Sequence, residues 1–124
     1  MKTDRFVLIT VGSTKFDGLI DSITSAKLNN FMKEFNLNRA IIQHGRSDPP
    51  KLKMDDNLIL IQDYFEPELM SEFIRDATVI ISHGGAGTIF EVLRNGENKE
   101  AFFVVVNEGL MDSHNRSSLI RSSS

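Results

Sequence analysis

Apolar positions along this chain follow two patterns, short continuous runs and longer stretches with helical spacing. The short runs are rich in β-branched and aromatic residues, which indicates buried strands. The predicted strands cover residues 6–11, 40–43, 58–61, 78–81 and 102–106. Helical spacing predicts two short helices within 19–35, a helix from Pro67 to about 75, and a helix over 87–94.

Continuous apolar strands separated by helices are typical of a parallel sheet that is covered on both faces. We therefore predict a Rossmann-like α/β domain with about five strands. The segment 44–56 contains Gly45, Pro49 and Pro50 and is predicted to be a loop. We place the domain at residues 1–116 and expect the serine-rich residues 117–124 to form a frayed tail.

Length and charge narrow the classes of protein that this chain fits. Its 124 residues suffice for one domain, and its net charge of -3 argues against a nucleic-acid binder, which usually carries a basic face. The absence of cysteine excludes disulfides and thiolate chemistry. The apolar run at 6–11 is too short for a signal peptide, and the longest run, 101–106, is far below the roughly 20 residues of a membrane span. We expect a soluble chain whose membrane role would require a partner.

The strongest chemical motif runs from Ile80 to Glu91 and reads as a strand, a glycine loop and the start of a helix. Glycines let the backbone approach a phosphate, and a helix N-terminus offers free N–H groups with a partial positive charge. A diphosphate is the natural ligand, and the carboxylate of Glu91, one turn later, suits the hydroxyls of a ribose. The alternative is a tight turn in which Thr88 caps the helix and Glu91 is a first-turn charge.

Three weaker motifs also follow predicted strands, where ligands bind in open α/β sheets. Residues 12–14 form either a nest of backbone donors or an ordinary turn. Gln43, in the segment 43–46, either hydrogen-bonds a base or braces a loop. The segment 106–115 is rich in groups that suit sugar hydroxyls and an N-acetyl group, or it is a polar loop in which Asp112 caps a last helix.

Two classes of enzyme, metal-dependent enzymes and serine hydrolases, fit this sequence poorly. His44, His83 and His114 lie on three different predicted loops and include no close ligand pair, so we expect no metal site. No G-x-S-x-G segment is present to support a Ser-His-Asp triad.

Four segments together resemble a known family: 11–20, 42–46, 80–91 and 105–114. They are similar to the small catalytic subunit of the endoplasmic reticulum UDP-GlcNAc transferase, and to the C-terminal donor domain of the bacterial lipid II GlcNAc transferase. The resemblance covers about residues 6 to 115. It implies a single GT-B donor half that works with a membrane-anchored acceptor-binding subunit in a heteromeric complex.

The reaction implied is GlcNAc transfer from UDP-GlcNAc to dolichyl-diphosphate-GlcNAc, the second step of N-glycan precursor synthesis. The resemblance implies inversion at the anomeric carbon with no bound metal and no cofactor besides the donor substrate. It places the chain in the cytoplasm, recruited to the cytosolic face of the endoplasmic reticulum. No catalytic base is identifiable in this sequence, and in an enzyme of two halves the base is expected on the acceptor half.

Carried onto this sequence, the resemblance assigns the diphosphate to residues 84–88, the ribose to Glu91 and the GlcNAc to His114 and Asn115. The predicted substrate-binding residues are Gly12, Ser13, Thr14, Gln43, His83, Gly84, Gly85, Gly87, Thr88, Glu91, Asn107, Glu108, His114 and Asn115.

The sequence departs from the family pattern at two places. Residues 97–100 make a longer and more charged turn than usual, and Asn115 stands where the family commonly has glutamine and continues through further helices. Two alternatives to an active enzyme subunit therefore stay open. One is a non-catalytic or truncated regulatory subunit that binds the nucleotide sugar, and the other is a bacterial-type polysaccharide glycosyltransferase subunit.

Overall fold

The strands and helices of this chain alternate along most of the sequence. The computed structural model describes residues 4–12, 16–53, 58–83, 92, 99–107 and 117–122. In chain order the elements are β1 (Phe6–Thr10), α1 (Asp17–Ser22), α2 (Ser25–Glu34), β2 (Arg39–Gln43), β3 (Ile59–Gln62), α3 (Pro67–Asp76), β4 (Val79–His83), β5 (Ala101–Asn107) and β6 (Ser117–Ser122). The α/β class and the Rossmann-like sheet predicted from the sequence are confirmed.

One sheet contains these strands in the order β3-β2-β1-β4-β5-β6. The first five strands pair in parallel, and β6 pairs with β5 in the antiparallel direction. The strand order reverses between β1 and β4, because the chain moves outward from β1 to β3 on one side and from β4 to β6 on the other. Such a switch point opens a crevice at the carboxyl ends of the strands, which is where ligands bind in this class of sheet.

Alternate residues of β1 enter two separate cores, as the pleat of a strand requires. Val7 and Ile9 pack on the face that α1 and α2 cover, whereas Phe6 and Leu8 pack on the face that α3 covers. Both faces of the sheet are therefore buried, which explains why the strands are continuous apolar runs. Val92 has helical backbone and is buried in the core of the α3 side, within the segment predicted as helix 87–94.

The stretch 19–35 divides into two helices, as predicted. The division falls at Ile23 and Thr24, and the Thr24 side chain caps α2 by accepting from the Lys27 N–H at 3.2 Å. Pro67 is the first residue of α3, where its missing N–H costs nothing.

The carboxyl-terminal end of α2 is fixed by Arg5, which precedes β1. The Arg5 guanidinium donates to the carbonyl oxygens of Phe35 at 2.8 Å and Asn36 at 2.9 Å. The same group pairs with Glu100 at 2.5 Å, just before β5. Arg5 therefore joins the helix end to the amino-terminal edge of the sheet, on the side away from the ligand crevice.

The expectation of a frayed tail is wrong for residues 117–122, which form β6. The serine-rich composition of these residues and their position at the end of the sequence indicated a frayed tail. The structure pairs these residues with β5 from Phe102↔Ser122 to Asn107↔Ser117. The reason is that the free edge of β5 offers unpaired backbone N–H and C=O groups, which a neighbouring segment satisfies whatever its side chains. None of the described helices is long and apolar enough to cross a membrane.

Candidate functional site

Three of the predicted site residues meet at the carboxyl edge of the sheet. Gln43 ends β2, His83 ends β4, and Gly12 follows β1 by two residues. The parallel register places Thr10 of β1 opposite both Gln43 and Ser82. Gly12, Gln43 and His83 therefore lie on one side of the molecule, at the switch point between β1 and β4.

A chain of hydrogen bonds joins the ends of β1 and β2. The Thr10 hydroxyl donates to Gln43 Oε1 at 2.5 Å and accepts the Gly12 N–H at 2.9 Å. Thr10 and Gln43 are both almost completely buried. Of the two roles that the sequence left open for Gln43, these contacts show bracing of the loop after β1, and its contact with a base stays a prediction.

A small cavity of about 180 Å³ opens beside this hydrogen-bond chain. On the sheet side it is lined by Thr10, Gly12 and Gln43, and on the other side by residues from the connection between β3 and α3 and from the first turn of α3. Those residues are Tyr64, Phe65, Pro67 and Met70. The cavity therefore combines polar groups at a strand edge with an apolar wall, which is the usual construction of a small-molecule site.

The two aromatic side chains in the wall have different surroundings. Phe65 is only 3% exposed and packs edge to face against Phe73 of α3, with ring centroids 5.1 Å apart. Tyr64 is 52% exposed, although it is a large ring beside a cavity. Phe65 thus belongs to the core, and Tyr64 is the ring that a ligand can reach.

The loop after β1 is also held at its far end. The Phe16 N–H donates to Ser47 Oγ at 2.8 Å, and the Phe16 ring meets the His83 ring edge to face at 5.2 Å. Phe16 and Ser47 are both buried. Phe16 therefore links Ser47, in the segment after β2, to the last residue of β4, which immediately precedes the predicted diphosphate segment.

Most of the remaining predicted site residues lie outside the part of the chain that the structure describes. They are Ser13, Thr14, Gly84, Gly85, Gly87, Thr88, Glu91, Glu108, His114 and Asn115. Asn107 is the last residue of β5, two positions beyond the pair His83↔Val105, so its backbone reaches the same edge. Within the described ranges, no group of three or more His, Asp or Glu side chains is arranged to hold a metal ion. Metal-independent chemistry stays a prediction.

A comparison with protein families decides what kind of domain this is. The profile of the glycosyltransferase family 28 C-terminal domain matches residues 6–117. This chain belongs to that family. The match spans the whole parallel sheet, and it confirms the resemblance that the motifs predicted.

The curated relatives of this family 28 chain share one name. The human UDP-N-acetylglucosamine transferase subunit ALG13 is 32% identical over 110 residues, which is 89% of this chain and 9% of the human protein. The mouse subunit of the same name is 29% identical over 106 residues, 86% of this chain and 9% of the mouse protein. The subunit from Yarrowia lipolytica is 29% identical over 116 residues, 90% of this chain and 57% of that protein. The chain thus spans less than a tenth of the mammalian relatives. No solved structure gives a significant match.

Sequence reasoning missed the residues that the connection between β3 and α3 contributes to the wall of the cavity. Tyr64 and Phe65 follow an apolar run and precede a proline that starts a helix. The rule that points to the carboxyl ends of strands applies to β3 as it does to β1, β2 and β4. The signal was therefore present, but an aromatic pair lacks the glycines and charges that usually mark a ligand loop.

Proposed function

We propose that this chain is the donor-binding half of a UDP-GlcNAc transferase that works with a membrane-anchored acceptor-binding subunit. The observation that carries the proposal is the position of the 180 Å³ cavity beside Gly12 and Gln43, at the switch point of a family 28 sheet. The names of the curated relatives support UDP-GlcNAc as the donor.

The uracil ring is the part of the donor that suits this cavity. Its volume is below the roughly 300–1,000 Å³ of pockets that enclose a whole small ligand, so it has room for a part of a nucleotide sugar. Tyr64 offers an accessible ring face, and Pro67 and Met70 add apolar contact. A planar base gains from stacking on such a ring.

From the cavity, the rest of the donor would extend across the carboxyl edge toward His83. The glycine segment 84–88 would then receive the diphosphate, Glu91 the ribose and His114 with Asn115 the GlcNAc. Backbone N–H groups and a helix N-terminus suit a diphosphate because they present partial positive charge at close range. The same groups would stabilise the charge that develops on UDP as it leaves.

The proposed reaction is a single displacement at the anomeric carbon. A hydroxyl of dolichyl-diphosphate-GlcNAc attacks that carbon, the bond to the UDP oxygen breaks, and the configuration inverts. A base takes the proton of the attacking hydroxyl, and we assign that base to the acceptor-binding subunit. The product is the chitobiosyl lipid of N-glycan precursor synthesis.

The lipid acceptor implies the place of action. A lipid-linked acceptor lies in a membrane, so the donor-binding chain must meet it there, and the proposed partner subunit would bring the chain to it. We propose the cytosolic face of the endoplasmic reticulum as that membrane.

The decisive experiment measures transfer of labelled GlcNAc to dolichyl-diphosphate-GlcNAc by the chain alone, by its membrane-anchored partner alone and by the two co-expressed. We expect product only from the pair. Gly85→Asp would place a carboxylate against the diphosphate, and we expect this control variant to bind no donor.

Other outcomes would each refute a part of the proposal. Transfer by the chain alone would refute the need for a partner. A complex that binds UDP-GlcNAc without turnover would establish a non-catalytic subunit. Transfer to a bacterial polyprenyl acceptor but not to the dolichyl one would establish a polysaccharide glycosyltransferase. Wild-type chain that binds no UDP-GlcNAc, alone or in complex, would refute donor binding itself.

A further inference from the structure

Phe16, the residue that leads from the loop after β1 into α1, is held from three directions. Its N–H donates to the buried hydroxyl of Ser47 at 2.8 Å. Its ring meets the His83 ring edge to face, and it also lies over Gly18, where an added Cβ would come within 3.3 Å of the ring. Its carbonyl oxygen also accepts the Ile20 N–H at 3.2 Å, so two hydrogen bonds and two ring contacts set the position of Phe16.

Ser47 is itself fixed by a closed turn after β2. The Ser47 N–H donates to the His44 carbonyl oxygen at 3.0 Å, and His44 Nδ1 donates to the Ser47 carbonyl oxygen at 2.7 Å. Gly45 has a φ of 58°, the left-handed conformation that this turn needs. The N–H of Gly45 reaches the Asp63 carbonyl oxygen at 3.0 Å, which ties the turn to the chain after β3. The turn that carries the Ser47 hydroxyl is thus held by hydrogen bonds within itself and to the chain after β3.

Hydroxyls of threonine and serine consequently accept the N–H groups of Gly12 and Phe16, the described residues on either side of 13–15. Thr10 receives the N–H of Gly12, and Ser47 receives the N–H of Phe16. The sequence analysis assigns residues 12–14 to the ligand cleft. The Phe16 ring in turn contacts His83, which directly precedes the glycine segment assigned to the diphosphate.

We propose that Ser47 is a positioning residue for the phosphate-binding part of the donor site, acting through Phe16 on the loop after β1 and on His83. The inference rests on the proposed function, because it assumes that these two loops contact the diphosphate. It predicts that Ser47 affects ligands that carry phosphates more than ligands that carry only the nucleoside. It also predicts a change in Phe16 and His83 that is visible without any ligand.

The physical reason lies in the burial of the pair. Ser47 is 3% and Phe16 4% exposed, so water does not replace the hydroxyl when it is removed. A buried N–H without a partner is unfavourable, and the backbone around Phe16 is then expected to move or open more often. A Phe16 ring that has moved no longer contacts His83 in the same way, so the removal of one hydroxyl changes two described residues next to the segments assigned to the diphosphate.

The first test compares the wild-type 124-residue chain with Ser47→Ala, Ser47→Thr and Ser25→Ala by NMR. Ser25 is a matched control because its hydroxyl accepts the Lys53 N–H at 2.7 Å, another serine that receives a backbone donor from a distant segment. In Ser47→Ala we expect the Phe16 amide to exchange about tenfold faster, as the loss of one hydrogen bond implies. We also expect the His83 ring protons to lose the ring-current shift from Phe16. Unchanged exchange and an unchanged His83 shift would overturn the inference.

The second test measures the affinities of the same variants for UDP and for uridine by calorimetry. We expect the UDP-to-uridine affinity ratio to fall about tenfold in Ser47→Ala and to stay at the wild-type value in Ser47→Thr and Ser25→Ala. Equal losses for UDP and uridine would indicate a merely structural role and would overturn the inference. If Ser47→Ala does not fold, Ser47→Cys replaces it, because the thiol is a weak acceptor of similar size. We expect an intermediate UDP-to-uridine affinity ratio in Ser47→Cys. A wild-type ratio in that variant would contradict the inference.

The failure of the proposed function is recognised separately. Wild-type chain that binds neither UDP nor uridine would refute donor binding, and with it the effect of Ser47 on a ligand. The ligand-free exchange rate and the His83 shift would still decide whether Ser47 holds Phe16.

Discussion

The Thr10 hydroxyl lies 2.5 Å from Gln43 Oε1, at the last register pair between β1 and β2. The two residues are 33 positions apart in the sequence, yet each ends a strand at the same edge. Because Thr10 also accepts the Gly12 N–H, a single hydroxyl sets the start of the loop that follows β1. A buried residue of the sheet thus positions polar groups of the candidate site.

Thr10→Val keeps the shape of the side chain and removes its hydroxyl. Gln43 Oε1 and the Gly12 N–H then lose their partner in a buried place, and we expect a loss of about 1–3 kcal/mol in the free energy of unfolding. Urea denaturation followed by circular dichroism measures this change. Thr10→Ser keeps the hydroxyl and should lose clearly less, so equal losses in the two variants would contradict the hydrogen-bond explanation.

Gly12→Ala tests the backbone conformation at the site. Gly12 has a φ of 66°, and a Cβ added there meets nothing within 4 Å, so only the backbone conformation opposes the substitution. We expect a loss of about 1–2 kcal/mol in the free energy of unfolding, the usual cost of a left-handed residue with a side chain. Asparagine tolerates this conformation, and Gly12→Asn should therefore unfold at a higher urea concentration than Gly12→Ala. The reverse order would refute the argument.

Tyr64→Ala tests the proposed base contact. The ring is 52% exposed, so its removal should affect stability little while uridine and UDP lose equal affinity. We expect a loss of about 5- to 100-fold, the range of one base stacked on an aromatic ring. Calorimetric titration measures it, and Tyr64→Phe should retain most of the affinity. Leu58→Ala, an exposed apolar residue at the amino end of β3, is the control that should bind normally.

Glu91→Ala tests the ribose contact assigned from the sequence. UDP and UDP-GlcNAc share the ribose, so we expect both to lose affinity by the same factor, about tenfold for the loss of hydrogen bonds to a charged group. Competition titrations with the two ligands measure the factors. Glu72→Ala on the exposed side of α3 removes the same charge at a distance and should change neither affinity. A loss confined to UDP-GlcNAc would assign Glu91 to the sugar instead.

Arg5→Ala tests the contacts that connect the end of α2 to the amino-terminal edge of the sheet. The substitution removes two hydrogen bonds to the end of α2 and the pair with Glu100, which is 47% exposed. We expect a loss of about 1–2 kcal/mol, mostly from the two carbonyl contacts, because a half-exposed ion pair contributes little. Arg39→Ala breaks a comparable surface pair with Asp4 and should cost less than about 1 kcal/mol. Thermal unfolding of the two variants provides the comparison, and equal losses would show that the carbonyl contacts do not stabilise the helix end.

The parallel sheet was predictable because its strands are buried on both faces. Runs such as 6–11 and 102–106 contain almost no polar residue, and the structure places their strands at Phe6–Thr10 and Ala101–Asn107. Helix starts were equally clear where local chemistry defines them, as at Thr24 and Pro67. The rule that ligands bind at the carboxyl ends of parallel strands predicts that Gly12, Gln43 and His83 share one edge, and the strand register places them there.

What the sequence did not reveal are contacts between distant segments. Ser47 and Phe16 are 31 positions apart, and nothing in a loop with two prolines marks one serine as the partner of a backbone N–H. Tyr64 was missed because aromatic rings are common in hydrophobic cores as well as in ligand-binding sites. The strand at 117–122 was missed because pairing there depends on an available edge rather than on its own composition.

That last strand has a consequence for how the protein behaves in solution. β5 carries the sequence Ala-Phe-Phe-Val-Val-Val-Asn, which has no charge, no proline and high β-propensity. Exposed at an edge, such a segment is a template for intermolecular cross-β aggregation. Because β6 pairs along β5 from Phe102 to Asn107, the backbone groups on that side of β5 are not free for such contacts.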